Sequence, residues 1–183
     1  PTREGGLLIY FGKADYGTTM ATLKPADAAI TVRRDAAAAI PEGFVYNGTL
    51  YATAGDFNAD GKADLLVGEP LRTLTTVGSE AVLDADERGT AYVIFSITER
   101  GDDVLLTDAN SVIRGEADFD QFGVLASQPG IDLNSDRQDD LLIGAAGADR
   151  VTTRLTPEAG KVFVIYGAST PPDLPTGDQI VDL

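Results

Sequence analysis

Asp56-Phe57-Asn58-Ala59-Asp60-Gly61-Lys62-Ala63-Asp64-Leu65-Leu66-Val67-Gly68 returns 76 residues later as Asp132-Leu133-Asn134-Ser135-Asp136-Arg137-Gln138-Asp139-Asp140-Leu141-Leu142-Ile143-Gly144. In each copy, oxygen-bearing side chains stand at positions 1, 3, 5 and 9 of a tight loop, and an apolar run follows at once. Hard oxygen donors at alternate positions suit Ca²⁺, which takes about six to eight oxygens at roughly 2.3–2.6 Å. A single copy could be an Asp-rich turn, since Asn, Asp and Gly make turns without metal. Two copies in matched contexts point to a repeated structural unit with an ion in each.

The flanks decide the kind of loop. An EF-hand shares the opening but needs a bidentate Glu at position 12 and a helix on each side. Position 12 is Val67 in one copy and Ile143 in the other, and neither side chain can hold a metal. The loops run into Asp-Leu-Leu-Val-Gly and Asp-Leu-Leu-Ile-Gly, short apolar runs that read as buried strands. Leu50–Ala54 and Val124–Ser127 precede them, strand-like and too short for helices. Each loop therefore joins two strands, and the EF-hand is excluded.

The first site is expected to use the side chains of Asp56, Asn58, Asp60 and Asp64 with the main-chain carbonyl of Lys62. The second is expected to use Asp132, Asn134, Asp136 and Asp140 with the carbonyl of Gln138. Position 6 is Gly61 in the first loop, where a positive φ costs little, but Arg137 in the second. A non-glycine residue there carries about 1 kcal/mol of strain or more, and Arg adds positive charge. The second site is expected to be the weaker, or to have a shifted turn.

Composition narrows the function. Fourteen basic residues face 29 acidic ones, giving a formal net charge of −15, which excludes the basic face that nucleic-acid binding requires. Most of the acid is Asp, as turn and ligand chemistry would have it. The absence of Cys and His removes Cys/His nucleophile pairs, a Ser-His-Asp triad, the usual zinc ligand sets and any disulfide framework. Length suggests one domain. No apolar run approaches the roughly 18 residues of a membrane span, and no signal peptide is present. Because the chain opens at Pro1, an upstream leader or region is expected to have been removed. Calcium loops working at about 10⁻⁴–10⁻³ M belong to extracellular modules, so a secreted or cell-surface location is expected, with the periplasm as a variant.

A second string follows each loop. Gly89–Phe95 and Gly160–Gly167 are Gly-led, β-branched and aromatic, which is strand material. Gly6–Gly12 is a third copy with no such loop before it. Each is followed by a weaker strand: Ala29–Val32, Ser111–Arg114 and Gln179–Val181. The only helix-like stretch is Asp35–Ile40, stopped by Pro41. Strand, loop, strand, longer connection, strand, turn, strand at a period near 70 predicts an all-β chain of four-stranded antiparallel blades, a β-propeller.

These strings resemble the FG-GAP repeats of integrin α-subunit β-propellers and their bacterial relatives. The second unit carries the likeness best: Phe122-Gly123 opens the first strand, Asp132–Asp140 forms the calcium loop, and Gly144-Ala145-Ala146 stands where the family has Gly-Ala-Pro. The first unit has Gly68-Glu69-Pro70 there, with Tyr46-Asn47-Gly48 in place of Phe-Gly. The expected divisions are 1–43, the outer two strands of a preceding blade with its connection; 44–114, a blade with loop 56–64; and 115–183, a blade with loop 132–140.

Ten strands in about two and a half blades fall short of a closed ring, which takes about four to eight blades and in this family usually seven. Further blades are expected from a larger parent chain, other copies or another polypeptide. The resemblance implies a non-enzymatic calcium-binding segment serving adhesion, ligand binding or scaffolding, with a protein or glycan ligand. It directs attention to Glu69–Arg88, Ala145–Ala159, Arg34–Gly43 and Gly115–Asp120, the connections opposite the calcium loops. Two other readings use the same residues: the propeller portion of a larger secreted enzyme such as a polysaccharide-degrading one, and a salt-adapted acidic module without specific metal.

Overall fold

Leu65-Leu66-Val67 is apolar without a break because both faces of its strand are covered. Leu65 and Val67 pack with Ile30, Val32 and Ile94 on one side, while Leu66 packs with Val93, Leu141, Ile143 and Phe163 on the other. A half-solvated strand would alternate apolar with polar; one sandwiched between two neighbours need not. This sandwiching organises the chain.

The computed structural model describes residues 6–12, 24–34, 44–70, 72–76, 82–86, 88–125, 129–148, 150–151, 155–156 and 160–168. In chain order the strands are β1 Gly6–Ile9, β2 Ile30–Arg33, β3 Phe44–Asn47, β4 Tyr51–Gly55, β5 Asp64–Glu69, β6 Arg72–Thr76, β7 Val82–Asp86 and β8 Thr90–Ile94. They continue as β9 Asp103–Leu105, β10 Ser111–Arg114, β11 Phe122–Leu125, β12 Leu141–Ala145, β13 Arg150–Val151, β14 Leu155–Thr156 and β15 Lys161–Ile165. Among the described residues there is no α-helix, only 3₁₀ turns at Pro25–Asp27, Ile97–Glu99 and Leu106–Asp108. The helix-like stretch 35–40 and the last strand expected, 179–181, lie outside the described residues.

The fold is all-β, built of antiparallel sheets that form partial propeller blades. One blade is complete, with strand order β10-β8-β5-β4 and antiparallel pairing throughout. The second presents β11-β12-β15, again antiparallel. β1 and β2 pair antiparallel from Gly6↔Arg33 to Ile9↔Ile30 and lie against the first blade.

Blade faces follow the strand period. Odd positions of β5 (Leu65, Val67) turn to the preceding sheet, and those of β12 (Leu141, Ile143, Ala145) turn to the first blade. The seam between the two blades is closed by backbone approach. A Cβ placed on Gly68 would lie 1.9 Å from the carbonyl oxygen of Gly123, and one on Gly89 would lie 2.0 Å from that of Phe122. Here the Gly-Glu-Pro and Phe-Gly strings acquire a physical role: their glycines let two blades touch main chain to main chain. Gly123, at φ +124°, also takes a conformation that side chains disfavour.

Six strands were not anticipated. The connections read as long loops, 69–88 and 145–159, carry hairpins: β6-β7, to which β3 adds an edge, and β13-β14. The Thr-rich alternation of residues 72–76 is a strand signal; the Asp-containing β7 and the two-residue β13 and β14 are not. Tyr46 and Asn47, matched in sequence to Phe122-Gly123, belong to β3 and pair with β6 outside the blade. The mismatch arises because Leu125, which pairs with Ile143, stands seven residues before Asp132, whereas Ala52, which pairs with Val67, stands four before Asp56, so spacing counted from the loops slips by three.

β9 is the sixth addition. It pairs parallel with β2, bringing the first blade's connection onto the preceding sheet. Arg33 clamps it: Nε donates to Asp103 Oδ1 at 2.7 Å and a terminal guanidinium nitrogen pairs with Oδ2. The Arg33 hydrogen bond holds the Asp103 carboxyl below its usual value. A depressed acid stabilises the fold above its unfolded-state pKa, and that contribution is lost as pH falls through the folded value. Asp103→Asn should therefore melt below wild type at pH 7, with the difference vanishing in the acid range; a constant difference would detach it from ionisation.

Candidate metal centre

The loop after β4 folds through its own side chains. Asp56 accepts from the Asp60 N–H at 3.0 Å and the Gly61 N–H at 3.0 Å, Asn58 Oδ1 from the Asp60 N–H at 3.1 Å, and Asp60 Oδ1 from the Lys62 N–H at 2.8 Å. Short polar side chains that capture nearby N–H groups turn the chain tightly. The loop before β12 repeats this bond for bond. Asp132 accepts from Asp136 at 3.1 Å and Arg137 at 2.8 Å, Asn134 Oδ1 from Asp136 at 3.1 Å, and Asp136 Oδ1 from Gln138 at 2.8 Å.

The turn at Arg137 is not shifted. Its φ of +73° matches +78° at Gly61, and Ser135 at +65° matches Ala59 at +55°. The second loop thus holds the same left-handed geometry despite a side chain at position 6, at the local cost anticipated.

Position 9 differs from the rest by being fully buried in both loops. Asp64 accepts the Phe57 N–H at 2.8 Å on one oxygen and the Ser96 N–H at 2.8 Å on the other. Asp140 accepts the Leu133 N–H at 2.6 Å and the Gly167 N–H at 3.0 Å. Burial pushes the Asp64 carboxyl up, its two N–H donors work against this, and the charges of Asp60 and Asp56 push it further up. Asp60, out in solvent, is instead held below its usual value, chiefly by the Lys62 N–H.

The predicted residues therefore meet loop by loop, with their oxygens committed to N–H groups. Among the described residues no three acidic or imidazole side chains converge as a preformed metal cluster. The donor chemistry nonetheless fits a hard cation. Asp56, Asn58, Asp60 and Asp64 surround one turn with acceptor oxygens, and the Lys62 ammonium is drawn aside to Glu99 at 2.9 Å. In the second loop the Oε1 of Gln138 is buried without a donor, an oxygen free to face a cation.

Two partners escaped the sequence reading. Ser96 donates its N–H to Asp64 and its hydroxyl to Asp60 Oδ2 at 3.0 Å, and Gly167 occupies the matching place under Asp140. Both follow the aromatic just past the third strand, Phe95 or Tyr166, which was the available signal.

The first loop, with the strands that enter and leave it, is similar to a known repeat. Residues 52–94 match the FG-GAP repeat. The match runs from β4 through the loop and β5 to β8, three of the four strands of the complete blade. No curated protein matches the chain. The FG-GAP repeat thus includes the Asp56–Asp64 loop and the Gly68 that touches the next blade, while Ser96 lies just beyond its end.

Proposed function

We propose that this chain is a calcium-binding segment of a larger FG-GAP propeller, exported from the cytoplasm, acting as a non-enzymatic adhesion, ligand-binding or scaffolding module. The observation that carries this reading is the duplicated loop: the same donors and the same pattern of N–H bonds recur at both sites, and Arg137 holds a left-handed φ of +73° to preserve it. Calcium would replace mutual repulsion among the loop carboxylates with attraction and fix each blade at one rim.

The opposite rim supports a binding role. There β3, β6 and β7 form a separate sheet beyond the end of β5, an added surface on the rim away from the Asp56–Asp64 loop. A protein or glycan ligand would meet that rim, away from the ions.

The test is thermal melting of chelator-stripped protein, with Ca²⁺ added at constant ionic strength and Mg²⁺ as control. A ligand that binds only the folded state stabilises it by about 2.7 kcal/mol at a hundredfold excess over Kd. Melting should rise and saturate near millimolar Ca²⁺, with a smaller Mg²⁺ response. A folded protein whose melting ignores Ca²⁺ but follows salt would overturn the reading in favour of an acidic, salt-adapted module.

A further inference from the structure

The two loops are joined to each other. Asp139, at position 8 of the second loop and outside the expected ligand set, reaches back to the first. Its Oδ2 accepts the Asp56 N–H at 2.9 Å, its own N–H donates to the Asp56 carbonyl at 3.1 Å, and its Oδ1 accepts the Gly130 N–H at 3.1 Å. Asp56 is position 1 of the first loop; Asp139 is flanked by Gln138 and Asp140, positions 7 and 9 of the second. Position 8 of the first loop is Ala63, which has no such reach.

A second connection runs through the buried carboxylates. Asp64 holds the Phe57 N–H, the Phe57 carbonyl accepts the Ala168 N–H at 2.9 Å, and the adjoining Gly167 N–H is held by Asp140. The approach is close enough that a Cβ on Gly167 would meet the Phe57 and Asp139 carbonyl oxygens at 2.8 and 2.7 Å. The Phe57 side chain is fully buried among Leu141, Ile143 and Phe163 of the second blade.

From these contacts we infer that the two loops bind calcium cooperatively, with Asp139 the positioning residue that couples them. An ion in the second loop fixes residues 138–140, Asp139 then fixes the main chain of Asp56, and the first loop meets its ion with less ordering left to do. Linkage makes the effect reciprocal: each ion raises the other's affinity by the same factor, typically about 5–150-fold. The inference rests on the calcium reading above.

The test is a double-mutant cycle on the full chain, read by calorimetric titration with Ca²⁺ alone. Asp136→Ala disables the second loop; it should weaken binding at the first by about fivefold or more. In an Asp139→Ala background the same substitution should change the first loop's affinity much less, because only the connection through Phe57 and Gly167 then remains. Hydrogen exchange of the Asp56 amide, measured without metal, should quicken in Asp139→Ala and confirm the clamp independently of any ion. Two ions bound with affinities indifferent to Asp136→Ala would overturn the coupling and leave the calcium reading intact. A coupling undiminished by Asp139→Ala would overturn the role of Asp139. No calcium uptake by wild type would sink both, while hydrogen exchange would still report on the clamp.

Discussion

Gly68→Ala is expected to cost about 3 kcal/mol or more of stability, whereas Gly144→Ala, the same position in the second blade, should cost less than about 1 kcal/mol. The difference follows from what each glycine faces. At Gly68 a methyl group would enter the Gly123 carbonyl, 1.9 Å from its oxygen and 2.8 Å from its carbon. Both obstacles are main chain, so relief requires the blades to part along a seam that includes Phe122, Leu66 and Val93. At Gly144 the nearest atom is the Val124 carbonyl oxygen at 3.3 Å, which ordinary adjustment accommodates. Urea midpoints of the chelator-treated variants measure both, with an unchanged slope showing that stability rather than compactness moved. Equal losses would mean that the seam at Gly68 is not formed.

The same contrast runs across the whole face of the second blade. Phe57, Ala91 and Phe95 are 0%, 0% and 6% exposed, sealed against the second blade; their counterparts Leu133, Val162 and Tyr166 are 56%, 51% and 47% exposed. A β-sheet face built from residues that are buried one repeat earlier is the face of a blade made to stack on another. That is the physical content of a partial propeller. In a longer protein carrying the next blade, Gly144→Ala should become as damaging as Gly68→Ala.

How much of this was legible in the chain depended on whether the signal was local. The loops were legible because their donors are close in sequence, and the first two strands of each blade because Leu65-Leu66-Val67 and Leu141-Leu142-Ile143 can only be buried runs. That Arg137 keeps the left-handed turn was one of two outcomes its alignment with Gly61 left open. The sheet that β3 makes with β6 and β7 was not, because its pairing links residues on either side of an intervening blade strand pair. Nor was β9: three residues, Asp103–Leu105, carry no periodicity, and they become a strand only because β2 offers an edge. Asp139 carried no signal of its own in the sequence. Its role appears only once the blades are stacked and its carboxylate lies against the Asp56 amide.

Asp64→Ala should separate the structural work of a loop carboxylate from its work as a ligand. Asp64 is fully buried, and both its oxygens hold N–H groups, those of Phe57 and Ser96. Removing it strands two donors, each worth about 1–3 kcal/mol when left unmade, so the metal-free variant should lose about 2–6 kcal/mol. Asp60→Ala makes the useful comparison. Asp60 is exposed, and its bonds to the Lys62 and Ser96 groups are made where water can replace them. Its metal-free cost should be much the smaller of the two, because water replaces what it loses. Adding Ca²⁺ should then widen the gap to wild type for both variants, because wild type gains from two loops and each variant from one. Asp64→Asn, which keeps a single carbonyl oxygen, should fall between Asp64→Ala and wild type without metal yet still lose most of the first loop's calcium response. If the deficit of Asp64→Ala is the same with chelator and with saturating Ca²⁺, this carboxylate is a pure hydrogen-bond anchor and the first ion, if bound, is held without it.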